Sequence, residues 1–171
     1  MIASNERGFT LIESVLVILL VFILAGVFAL SLSGLATARL DNAVNKVAGD
    51  LRYAQQMAIG TQNRNGMTIL STTSYNIHVD NSGTDNNLQD PTNLSQPFVV
   101  TFASYQQGQL AGVQFSSTTP FCGGSVIEFN SLGAPTDTNG TLLACNSSLT
   151  LNYSGNTHTI TIQQNTGNLI Y

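Results

Sequence analysis

Glu13 is the residue whose placement demands most of the chain. It interrupts an apolar stretch that starts at Phe9 and continues as 15–30 (VLVILLVFILAGVFAL). A carboxylate at the end of such a segment is costly in hydrocarbon unless a cation meets it or the side chain snorkels to the membrane face. Cys122 and Cys145 can make one bridge. They are either a disulfide formed in an oxidising compartment or two buried thiols. The bridge would remove roughly 3 kcal/mol of unfolded-state entropy. The other reactive side chains form no familiar constellation. His78 and His158 have no Cys or His partner at zinc spacing. Asp80, Asp85 and Asp90 with Gly83 approach a calcium loop but lack the closing glutamate. No P-loop or nucleophile elbow is present. No catalytic residue, cofactor or metal site is therefore expected.

The charges narrow the partners. The chain has 171 residues, a net charge of −4 and only 8% charged residues, against about 25% in ordinary soluble proteins. With 43% apolar residues, an acidic disordered chain is excluded. The five basic residues are Arg7, Arg39, Lys46, Arg52 and Arg64. From Asn65 to Tyr171 the only charges are Asp80, Asp85, Asp90, Glu128 and Asp137. That leaves a surface of Ser, Thr, Asn, Gln and Gly, common in secreted and cell-surface domains. DNA binding is not expected of it, because phosphate contacts need Lys or Arg.

The elements that carry these residues follow from periodicity. From Phe9 to Leu30 a helix would run ~33 Å, enough to cross a hydrocarbon core. A signal peptide would be shorter and followed by a small-residue cleavage site. A plain anchor fits the length but not Glu13, and a buried core helix belongs in a larger protein. Leu40, Val44, Val47, Leu51, Ala54 and Ala58 then recur in steps of three and four, which predicts an amphipathic helix. No proline precedes Pro91, so one helix is predicted from about Phe9 to about Ile59, with Gly26, Gly34 and Gly49 as weak points. Beyond Gly60 the period becomes two. Tyr75, Ile77 and Val79 alternate with polar residues, and short strands are predicted at 97–102, 112–115, 126–129, 141–144, 149–153, 157–162 and 168–171. The segment 81–96 reads as a long exposed loop. His78 falls on the polar side of its strand and is predicted to be solvated. His158 shares parity with Ile160 and Ile162 and is predicted to be half-buried at an edge. The fold class is α+β: one long N-terminal helix whose second half packs on an antiparallel β head.

The string Arg7-Gly8-Phe9-Thr10-Leu11-Ile12-Glu13-Ser14 resembles the prepilin motif of type IV pilins and of the pseudopilins of type II secretion. The resemblance implies cleavage by an inner-membrane prepilin peptidase between Gly8 and Phe9, followed by N-methylation of Phe9. It gives Glu13 an assembly role, paired with the Phe9 ammonium of a neighbouring subunit. It also implies a leader at 1–8, a transmembrane and filament-core helix at 9–34, an amphipathic helix at 35–60 and a β head at 61–171. The leader would lie on the inner side of a bacterial inner membrane and the head on the outer side, where Cys122 and Cys145 would be bridged. The distribution of Lys and Arg alone does not decide the orientation.

Leu51-Arg52-Tyr53-Ala54-Gln55-Gln56-Met57-Ala58-Ile59 is similar to the end of the long helix in the GspH/FimT group of pilin-like proteins. So are 127–133 (IEFNSLG), Leu149-Thr150-Leu151, Ile160-Thr161-Ile162 and Thr166-Gly167-Asn168-Leu169, where that group has a strand, a Phe-x-x-x-Gly turn, two strands and a Thr-Gly turn. The proline in the membrane helix of many major pilins is absent. These resemblances imply a minor pilin or pseudopilin, with other such subunits, the prepilin peptidase and an inner-membrane assembly platform as partners. A DNA-uptake or adhesion pilin and a major filament subunit remain as alternatives.

Overall fold

The computed structural model describes residues 10–80 and 85–171, without the side chains of 27–33 and Asp85. The leader 1–8 and the Gly8–Phe9 junction lie outside the described residues. Helix α1 runs Leu11–Thr61. The strands are β1 Arg64–Ser71, β2 Ser74–Asp80, β3 Asp85–Asn87, β4 Gln89–Asp90, β5 Asn93–Pro97, β6 Val99–Thr101, β7 Gln114–Phe115, β8 Val126–Phe129, β9 Pro135–Thr136, β10 Ser147–Tyr153, β11 Asn156–Ile162 and β12 Leu169–Ile170, with a 3₁₀ turn at Tyr105–Gly108. The chain divides into two units, one ending at Ala36 and one from Thr37 to Tyr171.

In the first unit α1 begins with a cap at Thr10. The Thr10 hydroxyl accepts the Glu13 backbone N–H at 3.4 Å, and the Thr10 carbonyl accepts those of Glu13 and Ser14. This is the Thr-x-x-Glu spacing of a capping box, and a carboxylate in the first turn also suits the helix dipole. From Leu11 to Leu24 every large apolar side chain is 51–83% exposed. Among the described residues no helix is long and apolar enough to cross a membrane; the predicted span of 9–34 includes the undescribed side chains at 27–33.

In the second unit the predicted stripe is buried. Leu40, Val44, Val47, Leu51, Ala54 and Ala58, joined by Ala43 and Ala48, are each at most 3% exposed. The helix stops where Gln62 takes a positive φ of 58°, as residues just past a helix end commonly do. The stripe lies in one core with a mixed-order sheet β3-β2-β1-β8-β9, in which β6 also pairs with β2, and a second sheet β12-β11-β10-β7. All pairings are antiparallel. Tyr75, Phe102 and Phe115 meet at its centre, with ring centroids 5.0–6.0 Å apart.

Four expectations need correction. Strand β1, the central strand of its sheet, was not predicted. Its Gly66 breaks the apolar alternation, since glycine weakens strands unless another backbone comes close. Here one does: a Cβ on Gly66 would overlap the Ile127 carbonyl of β8. The 81–96 loop carries β3, β4 and β5. Their Asn, Asp and Gln content has low strand propensity, and pairing of β3 with the β2 edge overrides it. The predicted strand 141–144 is not formed, and only Leu142 bridges to Thr136. The Asp137 carboxylate instead accepts the backbone N–H groups of Asn139 and Thr141, a local bond that competes with ladder formation. Finally, His78 is fully buried. Period-two parity assumes one wet face, but this end of β2 is covered on both.

Candidate assembly site: the helix and the head that holds it

Three segments singled out in the sequence converge on one side chain. Gln55, on the last turns of α1, donates from Nε2 to the carbonyls of Gly133 at 2.8 Å and of Thr166 and Gly167 at 3.3 Å. The helix end, the Phe-x-x-x-Gly turn and the Thr-Gly turn thus share one amide. Gly167 has φ 66°, and a Cβ there would run into the Gly133 carbonyl and the Gln55 amide, so a side chain is excluded by both conformation and space. Gln55→Leu keeps the volume and removes the donors. It is expected to lower stability by about 1–3 kcal/mol, read as a shift in the denaturant midpoint of the purified chain without a change in slope.

The helix is also held through its cations. The Arg39 guanidinium donates to the Tyr153 hydroxyl at 3.0 Å and the Ala111 carbonyl at 3.1 Å, and lies 5.3 Å from the Tyr153 ring centre. The Lys46 ammonium pairs with Asp50 at 2.7 Å over the rings of Phe98 and Tyr105. Arg52 donates to the Tyr171 hydroxyl at 2.8 Å and stacks on that ring. Cation–ring contacts of this kind contribute about 0.5–1 kcal/mol each at exposed sites. Behind Lys46, the Tyr75 hydroxyl donates to Asp50 at 2.6 Å. Burial raises the Asp50 carboxyl against the opposing pull of Lys46 and of this hydrogen bond. Burial, reinforced by Asp50, also pushes the Tyr75 phenol well up.

Arg64, the remaining described cation, lies in a buried network. It pairs with Asp80 and, through Nε at 3.3 Å, with Glu128. Glu128 is fully buried, and its other oxygen is 3.4 Å from His78 Nε2. His78 Nδ1 faces the Thr68 hydroxyl at 3.3 Å. The register explains the meeting. Gly66 of β1 lies between His78 of β2 and Glu128 of β8, and its missing side chain leaves the space in which the two join. Gly140 backs onto the Arg64 guanidinium. From sequence alone Glu128 is one more acidic position of the head and His78 reads as a surface residue. A glycine flanked across two strands by His and Glu is the only signal the sequence offers.

The other candidate residues are placed as follows. Glu13 lies on the exposed first turn of α1, and its proposed partner Phe9 lies outside the described residues. Cys122 and Cys145 are bonded as a disulfide, with Cα atoms 6.0 Å apart. His158 is half-buried on β11, as expected, 3.4 Å from Asp41 of α1. Asp90 accepts the backbone N–H and hydroxyl of Thr92, and Asp80 is held by Arg64. Among the described residues no group of three or more His, Cys, Asp or Glu is placed to hold a metal.

This arrangement of helix and sheets occurs in two crystal forms of the type IV minor pilin FimU of Pseudomonas aeruginosa strain PAO1. One superposes with a TM-score of 0.54 over 78% of this chain and 88% of FimU, the other with 0.51 over 77% and 90%, both at 14% identity. The chain has a type IV pilin-like fold. No protein-family model and no curated protein matches the sequence. In this fold the second half of the helix completes the core of the head.

Proposed function

We propose that the chain is a minor pilin or pseudopilin of the GspH/FimT kind, a structural subunit that enters a filament through the first half of α1. The observation that carries this reading is the exposed apolar surface from Leu11 to Leu24, interrupted by one carboxylate, Glu13. Soluble monomers do not leave so long a contiguous apolar surface uncovered. A membrane covers it before assembly, and neighbouring helices cover it in the filament. The prepilin peptidase cuts between Gly8 and Phe9 and methylates Phe9, and the new ammonium pairs with Glu13 of another subunit. The chain sits in the inner membrane with the head outside, where the Cys122–Cys145 bridge is stable, until the assembly platform takes it up. The partners are pilin-type subunits rather than DNA: Arg39, Lys46, Arg52 and Arg64 are all engaged within the head, which supports the view that few cations are left for phosphate.

The processing step has its own test. Gly8→Val places a β-branched side chain where the peptidase needs close approach to the backbone. Uncleaved precursor is expected to accumulate in membranes of a bacterium that carries the peptidase. Cleavage of the variant at the normal rate would refute the junction.

A further inference from the structure

A cleft beside the second half of α1 surrounds the Lys46–Asp50 pair. It encloses about 530 Å³, within the ~300–1,000 Å³ of small-ligand sites. Its inner wall is Asp50 and Phe98, both buried, and its sides carry the half-exposed Tyr53, Tyr105 and Asp90. The Lys46 ammonium lies inside it, 2.7 Å from both Asp50 oxygens, 5.0 Å from the Phe98 ring centre and 5.3 Å from that of Tyr105. The cleft therefore already stabilises one ammonium by a carboxylate and two ring faces. Asp50 neutralises Lys46, so Asp90 leaves a net negative charge there. That charge works against phosphates, sulfates and acidic sugars.

The rim is polar and strained. Thr92 and Gln106 complete the lining, and the Thr92 hydroxyl donates to Asp90. Gln106 (φ 42°, ψ 55°) and Gln107 (φ 62°, ψ 31°) are consecutive non-glycine residues in the left-handed region. Such strain persists only where surroundings impose it, and it gathers at ligand sites. A pyranose has an apolar C–H face and a hydroxyl-bearing edge, which matches a wall of rings under a polar rim.

We propose that this cleft binds an amino sugar, with the C–H face on the exposed part of the Tyr105 ring, its hydroxyls donating to Thr92 and Gln106, and the ammonium held by Asp90. The proposal does not depend on filament assembly. Its test is calorimetric titration of the full chain, in a zwitterionic detergent free of sugar, with the trimer of β-1,4-linked glucosamine at mildly acidic pH. Binding is expected, weakened about tenfold or more by Asp90→Asn and by Tyr105→Ala. Asp90→Asn removes the charge but can still accept the Thr92 hydrogen bonds, and circular dichroism would confirm that both variants fold. No binding of the trimer, or binding untouched by both substitutions, would overturn the proposal. Equal binding of the N-acetylated trimer would overturn it as well, because the ammonium would then have no role.

Discussion

Replacing Glu13 by Leu is expected to leave the chain in the membrane and remove it from filaments. Insertion gains, because an ionised side chain in the apolar segment gives way to one of the most favourable residues for it. The Thr10 cap is kept, since its donors are the backbone N–H groups of residues 13 and 14, which leucine also supplies. What is lost is the partner of the Phe9 ammonium. Removing one member of a buried charged pair costs about 2–5 kcal/mol, much of it from stranding the other charge. Incorporation should therefore fall at least about tenfold. The measurement is the ratio of filament-bound to membrane-bound chain after shearing, compared between wild type and Glu13→Leu. A normal ratio would sink the pairing idea and leave Glu13 as a snorkelling side chain.

Arg64→Met is expected to destabilise the head by about 3–5 kcal/mol, the usual cost of breaking a buried ion pair from one side. Met keeps most of the apolar stem, so lost packing is a small part of the effect. Glu128 is fully buried and Asp80 nearly so, and neither can be solvated when the guanidinium goes. At roughly 2–4 °C per kcal/mol for a chain of this size, the melting temperature should drop by about 10 °C. Adding Glu128→Gln should recover part of the loss, because it removes one of the stranded charges. Melting curves of the two variants against wild type test this. A single-variant shift of only a degree or two would show that water reaches the network.

The helix was legible in the sequence because its signal repeats. Leu40, Val44, Val47, Leu51, Ala54 and Ala58 sample one face over five turns, and no proline interrupts them. The strands β2, β10 and β11 were legible because each is long enough to alternate. The central failures depended on neighbours distant in sequence. Gly66 looks like a breaker until β8 is placed against it. His78 looks exposed until Glu128 and Arg64 close the second face of β2. Asp85–Asn87 looks like loop until it is laid along the β2 edge, whereas Asp137 turns a plausible strand at 141–144 into a local hydrogen-bonded turn. Of the candidate site, the motif around Glu13 could be read directly. The role of Gln55 could not, since its acceptors are 78 to 112 residues away. The resemblance marked all three segments, and only their folding together brings them onto one amide.

Processing as a prepilin is read at the mature N-terminus. The chain would be expressed with its own leader in a bacterium that has a prepilin peptidase, recovered from the envelope, and its N-terminal peptide analysed by mass spectrometry. The proposed function predicts a chain that begins at Phe9 with one methyl group on its nitrogen. An intact Met1 precursor, or a chain cut at another residue after the apolar run, would contradict it.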